Sequence, residues 1–334
     1  MTAEPLTVPA LVVPRTGGSE VLTVQDRQVP APGPGQVRVT VSAAGVNFID
    51  IYQREGVYPM TTPFVVGGEG AGTVEAVGEG VDLTVGDRVA WAQGPGSAAG
   101  AVVVEAASVV PVPDRVDLET AAAVMLQGIT AHYLVNSTYD VQPGDLVLAH
   151  AVAGGVGQLL VQLVKAKGAT LIGTAGSAEK VQLGLQLGAD HVIDYSELSD
   201  MDDLPGRVKE LTGGNGVDVV YDGVGETTFD ASLASLRPRG MMVLYGGSSG
   251  QVPPFDIQRL NRGGSLFLTR PTMGNYIATR EELVWRASEI LGAVADGSLT
   301  VSVGGRYPIA EAKAAYDALA GRETTGKLLL LPSQ

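Results

Sequence analysis

The residues of this chain whose types and spacing could do chemistry gather at a few places. In Ala151-Val-Ala-Gly-Gly-Val-Gly157, the glycines Gly154, Gly155 and Gly157 stand between a short apolar run, Leu146–Ala149, and a stretch over 158–167 with apolar residues at helical spacing. That pattern predicts a strand, a tight turn and a helix. Glycines let the backbone bend sharply and let a diphosphate approach the amides at a helix N-terminus, where unpaired N–H donors and the helix dipole favour an anion. A turn of this kind standing alone also fits an ordinary strand-to-helix corner, and the first position of the usual G-x-G-x-x-G is Ala here. The following strand at 170–174 completes a βαβ unit of the size a dinucleotide fingerprint requires, so the turn is expected to cradle the diphosphate of a dinucleotide. A second group, Asn47, Asp50 and Tyr52, lies on one segment after a β-type run. Gln127 and Tyr133 lie on different faces of a later helical stretch.

Two kinds of scaffold are needed to hold these groups. At 334 residues the chain is long enough for two domains, each with its own core, and its 45 glycines point to many tight turns. Short β-type runs at 11–13, 22–28, 36–43, 72–77, 88–92, 101–105 and 109–112 alternate with Gly and Pro, as in a partly closed antiparallel barrel or sandwich. Asp117 caps a helix predicted over 118–135, which joins the two halves. Beyond it, predicted strands at 146–149, 170–174, 191–194, 217–221, 241–245 and 265–269 alternate with helices at 157–167, 178–187, 203–212 and 227–236. Such alternation implies an α/β fold with a doubly wound parallel sheet. Helices over 280–295 and 309–319 follow, and Lys327–Leu331 reads as a buried strand that returns to the first domain.

Charge and composition narrow the class. A formal charge of -14 opposes a phosphate-tracking nucleic-acid binder, which needs a basic face. With 0 cysteines there is neither a disulfide scaffold nor a thiolate metal site. The first ten residues lack the basic and apolar regions of a signal peptide, and no apolar run reaches the ~18 residues of a spanning helix, so a cytoplasmic protein is expected.

The motifs Gly45-Val-Asn-Phe-Ile-Asp50, Tyr58-Pro59, Gly67-Gly-Glu-Gly-Ala-Gly72, Val85-Gly-Asp-Arg-Val89, Ala151-Val-Ala-Gly-Gly-Val-Gly157, Leu187-Gly-Ala-Asp190, Tyr221-Asp-Gly-Val-Gly225 and Gly326-Lys327 occur in order over nearly the whole chain. In this the chain resembles the zinc-independent quinone oxidoreductases, the zeta-crystallin branch of the medium-chain dehydrogenase/reductase superfamily. The resemblance implies a GroES-like β-barrel domain over 1–125, completed by 300–334, and a Rossmann domain over 126–299, with the active site in the cleft between them. It implies NADPH as hydride donor, quinones as acceptors, and a homodimer joined through Rossmann edge strands, at 241–245 or 265–269. Zinc-dependent alcohol dehydrogenases of the superfamily place Cys, His and Cys where Asn47, Gly68 and Gln127 stand, and two amides and a hydrogen cannot hold zinc. No metal is expected. A quinone is an electron-poor acceptor that takes hydride when the donor is held against it, so positioning supplies much of the rate.

The choice of nicotinamide cofactor follows from the end of the second strand. An NAD site carries an acidic residue there, about 20 residues past the glycine turn, on the ribose 2′-hydroxyl. Here Gly173-Thr-Ala-Gly176 is small and uncharged, and Ser177 and Lys180 are placed to meet a 2′-phosphate. Glu179 competes with that reading and is expected to face solvent. The resemblance adds Tyr195 and Arg322 as 2′-phosphate contacts. It also implies cofactor contacts from Phe48, Ile49, Thr130, Tyr133, Val156, Val224, Tyr245, Gly246, Ser248 and Pro271, beside the glycines Gly154, Gly155, Gly157 and Gly176.

For the chemistry itself the expected set is Asn47, Asp50, Tyr52 and Gln127. Asn47 would bond the ribose or a substrate carbonyl, and Gln127 the substrate. Asp50 is equally readable as a cap, and Tyr52 and Tyr58 as half-buried core or as flat faces lining the acceptor pocket. His132, His150 and His191 form no metal-spaced pair, and His150, inside the turn motif, reads as structural or as stacked on the cofactor. Arg262 and Arg270 read as ion-pair or interface residues. The expected activity is quinone reduction by NADPH. Its alternatives are a 2-alkenal or enoyl reductase acting on conjugated carbonyls, an RNA-binding or structural crystallin-like protein, and a cofactor-binding protein without turnover.

Overall fold

The computed structural model describes residues 4–322 and 324–332. The chain forms two compact units, one from the chain up to Ile129 plus the segment from Thr279 onward, the other Thr130–Ala278.

The second unit is built on a six-stranded sheet ordered His191–Asp194, Thr170–Ala175, Leu146–Ala149, Val217–Asp222, Leu236–Leu244, Phe267–Thr269. Every adjacent pair is parallel. Numbered by sequence the order is 3-2-1-4-5-6, the doubly wound arrangement that reverses direction beside its first strand. Neighbouring residues of a strand point to opposite faces, yet Val147 and Leu148, like Val219 and Val220, are all fully buried, so both faces are covered. On one face the helices Leu204–Leu211 and Phe229–Ala234 pack Leu204, Val208, Phe229 and Leu233 onto Leu148, Ile172, Val220 and Met242. The fifth strand begins at Leu236, earlier than the expected 241. Pro238 and the left-handed Arg239, near a register shift, had masked it as a strand.

In the first unit the long strand Gln36–Val46 is the organiser. One edge pairs with Gly70–Val77. The other is shared, Gln36 to Thr40 against Ala101–Glu105 and Ala44 to Val46 against Lys327–Leu331. The tail strand thus returns across the whole sequence, and it lies parallel to Val303–Pro308 on its far side. That last strand reads Val-Gly-Gly-Arg-Tyr-Pro, and its glycines and proline hid it from a pattern reading. A separate sheet orders Thr23–Val29, Leu6–Val13, Phe64–Val65. Trp91, Val39, Val41, Leu328, Leu330 and Tyr316 are among the buried residues of the shared core.

The unit boundary differs from the expected one. Helix Arg280–Asp296 belongs to the first unit, because Arg280 Nη1 donates to the carbonyls of Ala107 (2.9 Å) and Val109 (2.5 Å). Ile290 also packs on Gly128, where a side chain would approach it to 2.7 Å. Among the described residues no helix is long and apolar enough to cross a membrane.

Because the tail strand closes the first unit, a cavity in it must cost as much as one in any central strand. Leu329→Ala, at a fully buried position, is expected to lower stability by about 2–5 kcal/mol in urea unfolding. A loss below ~1 kcal/mol would mean that the strand is peripheral.

Candidate active site

The glycine turn leaves the first strand of the parallel sheet at its C-terminal end. Ala151 adopts a left-handed backbone (φ 53°), Gly154 N donates to Ala151 O (2.9 Å), and helix Gly155–Ala166 begins at once. A side chain on Gly157 would overlap the carbonyl of Ala151, so only glycine lets the helix start this close to the strand. Gly154, Gly155 and Val156 stay partly exposed, with the amides of the first helical turn unpaired by the helix itself. This is a cradle that fits a diphosphate.

Beyond the second strand, Ser177 caps helix Ala178–Gln186 by accepting from Lys180 N (3.4 Å). Gly176 lies under the Tyr195 ring, leaving no room for a side chain. Gly176, Ser177, Lys180 and Tyr195 are therefore neighbours, with Glu179 exposed beside a half-buried Lys180. Arg322 belongs to the first unit, exposed in a left-handed turn. After the fourth and fifth strands, Ser248 N donates to Gly223 O (3.2 Å) and Ser249 N to Val224 O (2.8 Å), while a side chain on Gly246 would meet Gly223 O at 2.5 Å. Val224, Tyr245, Gly246 and Ser248 are thereby brought together. Thr130 and Tyr133 are buried on the linking helix Leu118–Tyr133, and Tyr133 stacks on Tyr276 at 4.3 Å. Pro271 is buried too.

A polar chain that the sequence reading did not assemble ties these strand ends together. The Asp222 carboxylate accepts from Val224 N (2.8 Å), Gly225 N (3.0 Å), Thr228 Oγ1 (2.7 Å) and Ser232 Oγ (2.8 Å). Since the Ser232 hydroxyl donates to Asp222, it accepts from His150 Nε2 (2.9 Å), which leaves Nδ1 to accept from Thr174 Oγ1 (3.0 Å). Burial lowers the His150 pKa, with the Asp222 charge opposing. His150 is fully engaged within the protein. His132 is buried and His191 exposed at a strand start.

In the first unit a second polar cluster is buried. Lys327 Nζ donates to Glu69 Oε2 (2.5 Å), Asn47 Oδ1 (2.7 Å) and Gln127 Oε1 (2.9 Å). Gln127 Nε2 donates to Asn47 Oδ1 (2.6 Å), and Asn47 Nδ2 to Glu69 Oε2 (3.0 Å) and Gly45 O (3.2 Å). The carboxamide of Asn47 is therefore engaged at both N–H bonds and at its oxygen within the protein. A side chain on Gly45 would overlap the Lys327–Glu69 pair. Asn47 also precedes a seven-residue helix, Phe48–Arg54, too short for its periodicity to be read. Asp50 sits in its first turn at 1% exposure, its Oδ2 accepting from Asn47 N (2.9 Å) and Tyr316 Oη (3.0 Å), while its Oδ1 is buried without a hydrogen-bond partner. Phe48 packs against the core, Ile49 is exposed, and Tyr52 meets Tyr58 edge-on at 5.5 Å. Lys327 and Glu69 were not among the expected site residues. Both stood in motifs that carry the family resemblance, Gly67–Gly72 and Gly326-Lys327, as charged residues in otherwise glycine-rich or apolar text.

Comparison with known proteins places this pair of units. Residues 33–114 match the family described as alcohol dehydrogenase GroES-like domain, and residues 155–287 the one described as zinc-binding dehydrogenase, the domain pair of a medium-chain dehydrogenase/reductase. A quinone oxidoreductase of Pseudomonas aeruginosa is 46% identical over 319 residues, 95% of this chain and 97% of the relative. A 2-haloacrylate reductase of Burkholderia is 42% identical over 334 residues, 97% of this chain and 99% of the relative. A mycobacterial protein solved in complex with NADPH superposes with a TM-score of 0.94 at 49% identity, covering 97% of this chain and 100% of its own. The chain belongs to the quinone oxidoreductase family of that superfamily.

The zinc in the family description does not fit this donor set. Asn47, Gly68 and Gln127 stand at the ligand positions of the zinc-dependent relatives, and the Lys327 ammonium lies between the two amides, where a second cation would be repelled. Among the described residues no group of three or more His, Cys, Asp or Glu is placed to hold a metal ion.

Burial pushes the Asp50 carboxyl up to about 7, against the opposing pull of its hydrogen bonds and of Lys327. Between about pH 4, where an unfolded aspartate titrates, and about pH 7, the folded state keeps a proton that the unfolded state has lost, so this group's contribution to stability falls as pH rises. Asp50→Asn is expected to match the parent near pH 4 and to exceed it at pH 8 by up to roughly 4 kcal/mol in denaturant unfolding. A difference that does not change with pH would contradict the shift.

Proposed function

We propose that the protein reduces quinones by hydride transfer from NADPH, without a metal ion. The observation that carries this is the side-chain-free corner at Gly157, at the switch point of a 3-2-1-4-5-6 sheet, followed just past the end of the next strand by Ser177 and Lys180 where an NAD site would need a carboxylate. NADPH, when bound, supplies the hydride from C4 of its nicotinamide.

The chain's own residues divide the remaining work. The Gly154–Gly157 turn and the amides behind it bind the diphosphate. Ser177 and Lys180, with Tyr195 and Arg322, bind the 2′-phosphate. Thr130, Tyr133, Val224, Tyr245, Gly246, Ser248 and Pro271 shape the rest of the cofactor site, and Phe48 and Ile49 are proposed as further cofactor contacts. Gln127, at 8% exposure the most accessible member of the buried cluster, turns its spare N–H toward the acceptor oxygen. Tyr52 and Tyr58 offer ring faces to a planar acceptor. Asn47 and Asp50 act through these neighbours, by holding Gln127 and the helix that carries Tyr52. The quinone gains hydride and one proton from solvent, leaving hydroquinone and NADP⁺.

A second reading, reduction of conjugated carbonyls, is favoured by the Burkholderia 2-haloacrylate reductase. Both chemistries put developing negative charge on an oxygen that a neutral N–H can stabilise. Steady NADPH oxidation is expected with a simple benzoquinone, and a parallel panel of enones ranks the two acceptor classes. Lys180→Glu is expected to weaken NADPH binding by roughly tenfold or more and NADH binding far less, since a charge-assisted contact to the phosphate is lost. Equal losses for both would remove Lys180 from the 2′-phosphate site.

The proposed assembly is a homodimer. Of the two strands considered, Leu236–Leu244 has neighbours on both sides and Phe267–Thr269 is an edge, opposite the His191–Asp194 edge, with Phe267 56% exposed. Light scattering is expected to give about twice 34.3 kDa, falling to the single-chain mass in Phe267→Glu. A parent protein at the single-chain mass would contradict the dimer.

A further inference from the structure

We propose that Lys327 is a positioning residue, whose ammonium fixes the Gln127 carboxamide so that an N–H, and not the oxygen, is what the acceptor meets. The inference rests on the reading of Gln127 as the acceptor-facing group.

The argument is one of donors and acceptors. An ammonium has three N–H bonds and no lone pair, and all three are committed, to Glu69, Asn47 and Gln127. Both amides must therefore turn their oxygens to Lys327. Asn47 Oδ1 then accepts from both Lys327 and Gln127 Nε2, while its two N–H bonds go to Glu69 and Gly45. Gln127 has one N–H on Asn47 and its oxygen on Lys327, so its second N–H is the spare donor of the cluster. Reversing the Gln127 amide would set N–H against ammonium and oxygen against oxygen. Both contacts oppose it. Glu69 completes the device, since its Oε1 accepts from Leu126 N (2.6 Å), the residue before Gln127 on the same helix. Lys327 is 3% exposed and Glu69 0%, so neither is available to a ligand itself, and each acts through the amides.

Lys327→Met alone leaves the Glu69 carboxylate buried and unpaired, and it serves only to show that the pair supports folding. The informative protein is Lys327→Met with Glu69→Gln, which removes both charges at nearly constant volume. Its kcat for quinone reduction is expected to fall by roughly tenfold to a hundredfold with little change in the KM for NADPH, because an oriented donor to the acceptor oxygen is lost. Added to Gln127→Met, the same double change is expected to cost little more than Gln127→Met alone. A second readout is independent of turnover. In protein labelled with ¹⁵N at glutamine, the side-chain NH₂ pair that disappears in Gln127→Met should shift in the double variant. A folded double variant with the parent's kcat, losses that multiply with those of Gln127→Met, or an unmoved Gln127 resonance would each overturn the proposal. Were the parent to reduce no quinone at all, the reading of its function would fail, and the resonance alone would decide the orientation.

Discussion

A carboxylate and an ammonium removed from water stay ionised only when their hydrogen-bonding sites are met by the protein, because the desolvation cost of each is several kcal/mol. The Glu69–Lys327 pair imposes that condition on the first unit. Meeting it requires Asn47, Gln127, Leu126 N and Gly45 to converge from segments scattered along the sequence, and it requires the tail strand to lie beside Ala44 to Val46. Gly45 is part of the same solution, since a side chain there would collide with the pair. Burial lowers the Lys327 pKa from its ordinary value, and the charge and hydrogen bond of Glu69 oppose that shift.

The second unit meets an analogous condition by different means. Asp222 has four donors around its two oxygens, and one of them, the Ser232 hydroxyl, passes the constraint on to His150 and Thr174. The chain joins the C-terminal ends of the three strands that meet at the switch point, where the glycine turn and the Val224–Gly225 loop begin. Its effect is to hold loop backbones in place. Each unit thus uses buried polar groups to fix neighbouring elements.

Much of this was legible in the sequence wherever the signal is local. The apolar runs of the parallel sheet, the glycine turn and the buried strand Lys327–Leu331 follow from periodicity and turn chemistry, while the return of that strand to the first unit rested chiefly on the family resemblance. The strand Val303–Pro308 did not, because neither its glycines nor its proline favour a strand, and only its neighbour Lys327–Leu331 specifies it. Helix Arg280–Asp296 was visible as a helix, but the unit it joins is decided by Arg280 reaching two carbonyls far away in sequence. The polar cluster was half legible. Asn47 and Gln127 stood out through the zinc positions they replace, whereas Lys327 read as the start of a buried strand. Its partners lie hundreds of residues earlier, so no spacing rule connects them. Asp50 was identified as a polar group of interest, and only burial against Tyr316 reveals it as a titrating anchor.

The central claim is that a protein-borne cation fills the place between Asn47 and Gln127 and dictates how both amides point. Neutron diffraction from deuterium-exchanged crystals locates those nuclei directly. The account requires three deuterons on Lys327 Nζ aimed at Glu69, Asn47 and Gln127, with both amide oxygens turned toward it. A neutral amine, a reversed Gln127 amide, or a metal ion at that point would contradict it.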